Sequence, residues 1–325
     1  MLESLRLLDN LRLNFSPEGL TLLNIALSIV MFGVALEIKP AHFRSLIEQP
    51  KSILTGVFSQ FLVLPALTFL LTLLLKDFIT PSIALGMLLV ASCPGGNISN
   101  FITNMAKGNV ALSVGLTGIA TVGAIFFTPI NFSFWGQLYI SFIESNQAEV
   151  LVRPLEIDPF EVFETVFLIL GLPLLTGLVV AYKFPNITEK LVGPIKKLSV
   201  VIFAAIVVIA LKNNFSYFMQ YVHYLFIIVL LHNGLALISG FSVSTIFRLP
   251  SADRRTVTIE TGIQNSGLGL VLLFNPEIFP VDLPTGGMAC ITAWWGIWHI
   301  ISGLTIAWTW ANHKRLTSKL ATIVS

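Results

Sequence analysis

One acidic side chain stands alone in an apolar stretch of the chain, within the segment TIETGIQNSGLG at residues 258–269. Glu260 is the only charged residue between Arg255 and Glu277. A carboxylate in a bilayer costs about 2.5–3.5 kcal/mol, so it requires a partner, a proton or a cation. Amide and hydroxyl groups follow at 264–266, and hydropathy places no lysine or arginine deep enough to pair with the carboxylate. We therefore predict a bound metal cation at Glu260, with a protonated, hydrogen-bonded carboxyl group as the alternative.

A second polar interruption is the segment CPGGNISN at residues 93–100, inside the uncharged run 82–105. Pro94 removes a backbone donor and clashes with the preceding turn, and the two glycines after it tolerate unusual dihedral angles. Unwound backbone is not stable in lipid, so it must face protein or a water-filled cavity. We predict a broken helix here, with a kinked but continuous helix as the alternative.

Polar side chains follow this second interruption directly, at Asn97, Ser99 and Asn100. We predict that they cap the second half-helix and direct oxygen atoms at a bound ion. Oxygen ligands are the type that hard cations prefer.

The elements that carry these residues are predicted to span a membrane. The chain has 325 residues, of which 55% are hydrophobic and 11% charged, and soluble proteins do not have this composition. The net charge of +2 indicates no nucleic-acid partner. A spanning helix needs roughly 20 apolar residues, and hydropathy predicts an all-α polytopic membrane protein with nine transmembrane helices. They lie near residues 20–37, 52–75, 80–106, 109–135, 162–183, 190–212, 221–247, 254–275 and 284–312.

Basic residues orient these helices. With the connection after the first helix inside, only Arg6, Arg12, Lys76, Arg153 and Lys212 fall outside, which leaves fourteen of the 19 lysines and arginines inside. Cytoplasmic loops carry such an excess. We therefore predict a multi-pass protein of the cell membrane (the inner membrane in a Gram-negative cell), with its N-terminus outside and its C-terminus in the cytoplasm.

Three segments lie outside the predicted helices. Residues 1–19 are predicted as an N-terminal surface segment, 136–161 as an acidic extracellular or periplasmic loop, and 313–325 as a cytoplasmic tail. Within the seventh helix, His232 and Asn233 are predicted to serve packing and interhelical hydrogen bonding.

The two interrupted helices occupy corresponding positions, because the third and eighth helices are five helices apart. An odd offset reverses the direction of a helix across the membrane, so the two halves are predicted to be inverted repeats whose broken helices cross. Paired interrupted helices of this kind indicate a secondary transporter. No nucleophile–base pair and no metalloprotease motif occurs, so we expect no enzyme activity.

Six short segments, in order along the chain, resemble the motifs of a known family, the bile acid:sodium symporters. The resemblance runs from about Met31 to the C-terminal helix. The segments are VFSQFLVLP at 57–65, CPGGNISN at 93–100, NVALSVGLT at 109–117, LLHNGLALISGF at 230–241, ETGIQNSG at 260–267 and IWHIISG at 297–303.

The resemblance implies two sodium ions as the coupling ions. The ligands implied for the first ion are the side chains of Ser99, Asn100, Ser113, Thr117 and Glu260. Those implied for the second are the side chains of Gln60, Glu260 and Gln264 and the main-chain carbonyls of Thr261 and Ile263.

The resemblance also implies that substrate lies in front of the crossing helices, near Asn97, Asn265 and His299. Asn97 stands where family members often have threonine. A helix-packing role for His299 is equally compatible with its position in the last helix.

The family fold implies a core domain and a panel domain. Compared with many bacterial members, which have ten helices, this chain is expected to lack the first. The implied division is a panel helix at 20–50, a first core repeat at 51–135, panel helices at 162–215 and a second core repeat at 216–312.

The function implied is sodium-coupled import of an organic anion, such as a bile acid or a small carboxylate, by alternating access. A proton-coupled carrier and an anion exporter of related architecture are the alternatives. The partners expected are the organic anion and the lipid bilayer, with no obligate protein partner.

Overall fold

The structure is a computed structural model that describes residues 2–9, 17–37, 49–96, 98–146, 159–195, 197–198, 201, 215–274, 278–279, 283 and 285–324. The described residues are helical and contain no β-strand, which confirms the all-α class. In chain order the helices are α1 (Leu2–Asp9), α2 (Pro17–Glu37), α3 (Pro50–Leu74), α4 (Pro81–Ser92), α5 (Ser99–Met105), α6 (Val110–Asn146), α7 (Phe160–Lys183), α8 (185–195), α9 (Phe215–Ile246), α10 (Ser251–Gly262), α11 (Ser266–Leu273) and α12 (Gly286–Val324).

Five of the described helices are long and apolar enough to cross a membrane, namely α3, α6, α7, α9 and α12. They correspond to the predicted second, fourth, fifth, seventh and ninth helices. The predicted third helix is divided into α4 and α5, and the eighth into α10 and α11, while α2 corresponds to the first. The predicted sixth helix, near 190–212, lies largely outside the described residues. The count of nine therefore stays a prediction.

Two of the long helices contain a single π-helical turn, and in both the turn precedes a Leu-Pro pair. In α3 the turn is Ser59–Val63 and the proline is Pro65, and in α7 the turn is Phe167–Gly171 and the proline is Pro173. Proline has no N–H, and its ring clashes with the carbonyl of the preceding turn in a regular helix. The wider π-helical turn makes room for the ring. The turn in α3 contains Gln60.

The halves of the broken helices that lead into the breaks, α4 and α10, lie largely in the interior of the bundle. Every residue at 82–92 of α4 is buried, as is every residue at 256–262 of α10. Gly86 allows the close approach of α4 to α12, because a Cβ there would lie 2.8 Å from Met288 Cα. The backbone groups freed by the two breaks are therefore shielded by protein.

Helix α2 packs along α7. A Cβ on Gly177 would lie 2.8 Å from the Phe32 carbonyl oxygen, so glycine is needed for this approach. Ala35, Ile125 and Leu174 form a small apolar cluster that joins α2, α6 and α7. The division into panel and core domains stays a prediction.

Two helices extend further than predicted. Residues 136–146, predicted as part of the acidic loop, continue α6, and Tyr139 and Ile143 are buried in the main apolar core. The segment QLYISFIESN contains neither glycine nor proline to end the helix. The predicted tail at 313–325 likewise continues α12 through Val324.

The predicted N-terminal surface segment contains a helix that packs into the bundle. Leu5 and Leu8 of α1 are 0% exposed and belong to the main apolar core. Asp9 accepts a hydrogen bond of 2.9 Å from the Thr80 hydroxyl, and a Cβ on Gly287 would collide with Asp9 Oδ1. Helix α1 thus contacts the beginnings of α4 and α12.

Candidate functional site

The helix breaks predicted in the third and eighth helices are both present, and their backbones contact each other. Gly95 and Gln264 form an isolated antiparallel β-bridge. The Gly96 N–H donates a hydrogen bond of 2.8 Å to the Ile263 carbonyl. Main-chain groups that lose their helical partners at one break therefore find new ones at the other, as buried polar groups require.

Asn265 supports the crossing through both its main chain and its side chain. Its N–H donates a hydrogen bond of 2.8 Å to the carbonyl of Pro94. Its Oδ1 accepts a hydrogen bond of 3.1 Å from the Leu268 N–H and so caps the N-terminus of α11. Side-chain caps of this type satisfy a donor that has no partner within the helix.

Glycine is needed at the crossing because the two chains approach so closely. A Cβ on Gly95 would lie 3.1 Å from Glu260 Oε2 and 3.4 Å from Gln60 Nε2. A Cβ on Gly96 would lie 3.1 Å from the Gln264 carbonyl oxygen. Gln60 and Glu260 therefore both border the small space beside Gly95.

Glu260, in α10 just before the break, is 1% exposed. Its Oε1 accepts hydrogen bonds from Ser99 Oγ, at 2.7 Å, and from Ser113 Oγ, and its Oε2 accepts one from Thr117 Oγ1 at 3.1 Å. These three partners are neutral hydroxyl groups from α5 and α6. They solvate the carboxyl group but supply no opposite charge.

Two further side chains extend this cluster. Thr117 Oγ1 lies 3.3 Å from Asn100 Oδ1, and Ser113 Oγ lies 3.3 Å from Thr103 Oγ1. The structure thus brings together all five side chains implied for the first sodium ion, and it adds Thr103, which sequence reasoning missed. Each hydroxyl carries one proton, so the oxygen acceptors here outnumber the protons available to them. An oxygen-rich, proton-poor cluster suits a hard cation.

The residues implied for the second ion lie on the other side of Glu260. Gln60 and Gln264 are buried, and among the described residues neither Gln60 Nε2 nor Gln264 Oε1 has a hydrogen-bond partner. The Thr261 carbonyl accepts a bond of 2.7 Å from Gln264 Nε2, and the Ile263 carbonyl accepts one from the facing break. Each carbonyl has a second lone pair, so both retain capacity for a cation.

Two of the three residues implied to contact substrate, Asn265 and His299, are among the described residues. Asn97 lies outside the described residues. The side-chain oxygen of Asn265 is engaged as the cap of α11. His299 in α12 is buried, and its Nδ1 has no hydrogen-bond partner among the described residues.

Interhelical hydrogen bonds confirm the roles predicted for the two polar residues of the seventh helix. His232 Nε2 lies 2.9 Å from Thr68 Oγ1 of α3. Asn233 Nδ2 donates a bond of 2.8 Å to the Gly262 carbonyl at the end of α10. The asparagine therefore contacts the break itself, and nothing in the sequence indicates this particular contact.

Apolar helices of membrane-spanning length, two broken helices that meet and a buried carboxyl group beside their crossing are features of secondary transporters. In such proteins, irregular backbone at membrane depth lines an ion or substrate site. The fold and the site thus define the class as a membrane transporter.

Comparison with known proteins identifies the family. Residues 24–221 match the model of the sodium bile acid symporter family, and the chain belongs to this family. The family is one of symporters, and several relatives of the chain are described as sodium-dependent transporters or sodium cotransporters, so the family is one of transporters and not of enzymes.

Three relatives illustrate the range of the family. The chain is 30% identical to an uncharacterized sodium-dependent transporter, YocS, of Bacillus subtilis. The alignment spans 299 residues, which are 92% of this chain and 85% of the relative. It is 28% identical to a protein of Arabidopsis thaliana named "Probable sodium/metabolite cotransporter BASS1, chloroplastic", over 88% of this chain and 66% of the relative. It is 26% identical to sodium/bile acid cotransporter 4 of Mus musculus, over 76% of this chain and 54% of the relative.

Proposed function

We propose that this protein is a sodium-coupled symporter that imports an organic anion across the cell membrane. The observation that carries the proposal is the buried Glu260 carboxyl group, whose hydrogen-bond partners among the described residues are neutral hydroxyls. A buried carboxylate without a basic partner is stabilised by a metal cation. The relatives named above support sodium as that cation, since all three are described as sodium-dependent transporters or sodium cotransporters.

The first sodium ion would occupy the hydroxyl cluster around Glu260. On binding, the ion would take the hydroxyl oxygens as ligands, and the hydroxyl protons would turn away from the carboxylate. The cluster supplies neutral and anionic oxygens, the donor set that sodium shares with other hard cations. The ligands proposed are Ser99, Asn100, Ser113, Thr117 and Glu260.

The second sodium ion would lie between the π-helical turn of α3 and the end of α10. It requires the oxygen of the Gln60 amide to face the crossing, which the amide reaches by turning over. The unpartnered Oε1 of Gln264 and the free lone pairs of the Thr261 and Ile263 carbonyls would complete the site with Glu260.

Sharing one carboxylate between two cations makes the binding of each ion depend on the other. The direction of transport depends on the net charge that is carried. Two sodium ions and a monovalent anion carry one net positive charge. A membrane potential of 100 mV is worth about 2.3 kcal/mol per charge, so a negative interior favours net import over a complete transport cycle.

The substrate proposed is an organic anion, with a bile acid or a small carboxylate as the class. The mouse relative is named a sodium/bile acid cotransporter and the Arabidopsis relative a sodium/metabolite cotransporter, which supports this class. Asn97, Asn265 and His299 are the proposed contacts for the anion, on the cleft side of the crossing.

Transport would follow alternating access, with the core of two inverted repeats moving against a panel that includes α2 and α7. The antiparallel crossing supports the inverted relation. The prolines at the starts of α4 and α10, Pro81 and Pro250, are the same number of residues apart as Gly95 and Gln264. The proposed orientation places the N-terminus outside the cell and the C-terminus in the cytoplasm.

The test begins with purified protein and a thermal-shift screen of organic anions, each with sodium chloride or with choline chloride at equal ionic strength. A ligand that binds the folded state raises its apparent stability, so we expect stabilisation by sodium and a further, sodium-dependent shift with the correct anion. Uptake of that anion into proteoliposomes should require a sodium gradient. Glu260→Ala and Glu260→Gln should abolish the stabilisation by sodium and the sodium-driven uptake.

Glu161→Gln, which neutralises an exposed carboxylate of α7, is the matched control and should behave as wild type. Full uptake by Glu260→Ala in sodium-free buffer would contradict the proposal. Uptake that follows the pH gradient and ignores sodium would favour the proton-coupled carrier, and anion movement only out of sodium-free vesicles would favour the exporter.

A further inference from the structure

Asn233 occupies a buried position where three helices meet. It lies in α9 and is 0% exposed. Its Nδ2 donates to the Gly262 carbonyl at 2.8 Å, and its Oδ1 accepts a hydrogen bond of 2.5 Å from Ser302 Oγ of α12. Because the Gly262 carbonyl is only an acceptor and the Ser302 hydroxyl donates, these contacts fix the orientation of the amide group.

The carbonyl that Asn233 contacts is one that the end of α10 leaves without a helical partner. In a continuous helix, Gly262 would accept from the N–H of Ser266, but that N–H donates to the Gln264 carbonyl at 3.0 Å. The last carbonyls of a helix need such partners from elsewhere. Asn233 is therefore a side-chain cap on the C-terminal end of the broken helix.

The carbonyls on either side of Gly262 are the two proposed as ligands of the second sodium ion. The Thr261 carbonyl is directed at the Gln264 amide and the Ile263 carbonyl at the Gly96 N–H. Only the carbonyl between them points to Asn233. By holding this middle peptide against α9, the asparagine fixes the rotation of the peptides on both sides.

Close packing makes this hold rigid. A Cβ on Gly262 would collide with Leu237 of α9, and a Cβ on Gly240 of α9 would lie 2.9 Å from Thr258 Cα of α10. The two helices thus approach at two levels through glycine. The short side chain of asparagine spans the remaining gap without freedom to move, because packed interiors restrict side-chain rotation.

We propose that Asn233 is a positioning residue for the second cation, which it never touches, and that Ser302 orients it for that role. This inference rests on the proposed function, since it requires that the Thr261 and Ile263 carbonyls bind sodium. Partners behind the direct ligands of a metal typically change its affinity 10–100-fold when they are removed. The proposal extends that rule to an amide that orients main-chain ligands.

The test measures sodium binding alone, by thermal stabilisation of the purified full chain in a sodium chloride titration with choline chloride as the balancing salt. In Asn233→Ala we expect the sodium concentration that gives a fixed rise in melting temperature, measured against the same variant without sodium, to increase about tenfold. Ser302→Ala should raise it by a smaller factor, because the asparagine keeps its bond to Gly262 but loses the group that orients it. Because stabilisation by a bound ligand grows with the logarithm of its concentration, both variants should reach the wild-type rise in melting temperature at a higher sodium concentration.

Asn131→Ala is the matched control. Asn131 is also a buried amide of a long apolar helix, and it likewise bonds a main-chain carbonyl, that of Phe127 at 3.0 Å, and a donor, Trp135 Nε1 at 3.2 Å. It lies in α6, away from the crossing. Its loss should lower the stability of the protein without changing the sodium concentration that gives a fixed rise in melting temperature over the sodium-free variant.

The outcomes separate the two proposals. If wild-type protein is not stabilised by sodium, the proposed function fails, and this inference fails with it. If wild-type protein is stabilised but Asn233→Ala titrates like Asn131→Ala, only the positioning role is overturned. If Asn233→Ala does not fold, Ser302→Ala decides, and a titration identical to that of wild type would overturn the role.

Discussion

Gly95 places the backbone of one broken helix against the carboxyl group of the other. Sequence reasoning assigns the glycines of CPGG to backbone freedom, but no described glycine of this protein has a positive φ. The structure gives a different reason, which is space, because the atoms nearest to a Cβ on Gly95 belong to Glu260 and Gln60. Any side chain at this position would enter the gap where the second cation is proposed to bind.

Gly95→Ala should therefore weaken sodium binding while the chain still folds. The Cβ would lie 3.1 Å from Glu260 Oε2, so the carboxyl group has to shift slightly. Overpacking of this kind costs roughly 1–3 kcal/mol. If that cost falls on the sodium-bound state, it corresponds to a rise of about five- to 160-fold in the sodium concentration that gives a fixed rise in melting temperature. Gly193→Ala, where a Cβ would meet no atom within 4 Å, should titrate as wild type. If the two variants gave the same sodium titration, no sodium ion would bind in the gap beside Gly95.

The partners of Glu260 show which part of the site the sequence predicts and which it does not. The lone charge and the polar residues after each break are visible in the chain. Ser113 and Thr117, however, lie 147 and 143 residues from Glu260, and only the resemblance to a family links them to it. Thr103 has no signal in the sequence, and Ser302 is marked only by its place in the segment IWHIISG. Hydroxyl residues in apolar helices often bond their own backbone, so residue type alone does not reveal a contact with another helix.

At the scale of helices, the π-helical turn of α3 determines where Gln60 points. The turn adds one residue relative to a regular helix, and Pro65 is the residue that makes a regular turn unfavourable. The second such turn, before Pro173 in α7, has the same local sequence logic but lies in the helix that packs on α2. The turn in α3 is therefore the candidate for a functional role, and the turn in α7 serves as its control.

Pro65→Ala should lower sodium affinity without unfolding the protein. Alanine restores an N–H and removes a helix-interior proline, which is worth about 3 kcal/mol in a regular helix, so α3 gains the freedom to close its wide turn. Closing it rotates the Gln60 side chain away from the crossing. The measurement is the sodium titration of thermal stability, with Pro173→Ala as the control. The same change in both variants would show that the effect comes from general helix geometry.

Helix breaks and helix ends differ in how well the sequence predicts them. The Pro-Gly-Gly run in the third helix is a strong local signal, and the break lies where it was expected. The end of α6 has no such signal, since its last turns carry polar and charged residues that are typical of loops but bury Tyr139, Ile140 and Ile143 on one face. Tertiary packing of that face, which composition does not reveal, extends the helix.

At the scale of the whole molecule, α1 adds a contact that hydropathy does not reveal. Its two buried leucines anchor a short helix on the bundle, and Asp9 lies against the first residues of α4 and α12. Burial raises the pKa of Asp9 from 3.8 to about 7, in spite of hydrogen bonds from Thr80 and Ser82 and the nearby charge of Arg6, which all lower it. Between about pH 4 and pH 7, the Asp9 carboxyl group is therefore protonated when α1 is docked and ionised when α1 is undocked.

This difference predicts the direction of a pH effect. Between about pH 4 and pH 7 the docked state binds more protons than the undocked state, so docking should weaken as the pH rises, by up to about tenfold per pH unit. Above pH 7 the dependence should level off. Hydrogen exchange of residues 2–9 in wild type, divided by that in Asp9→Asn at the same pH, cancels the intrinsic pH dependence of exchange and reports the docking alone.

The control is Glu3→Gln, which removes an exposed carboxylate from the same helix. Its exchange ratio to Asp9→Asn should rise with pH as that of wild type does. A wild-type ratio that stays flat from pH 4 to pH 7 would show that Asp9 does not link docking to protons.

The two main-chain bonds between the breaks, from Gly96 to Ile263 and from Asn265 to Pro94, also limit how the molecule can rearrange. Pulling the breaks apart would strand four polar atoms in a water-poor interior, at several kcal/mol for each group left bare. A membrane potential of 100 mV supplies only about 2.3 kcal/mol for one charge. We therefore expect the crossing to move as one unit in the transport cycle proposed here, with its two main-chain bonds kept throughout.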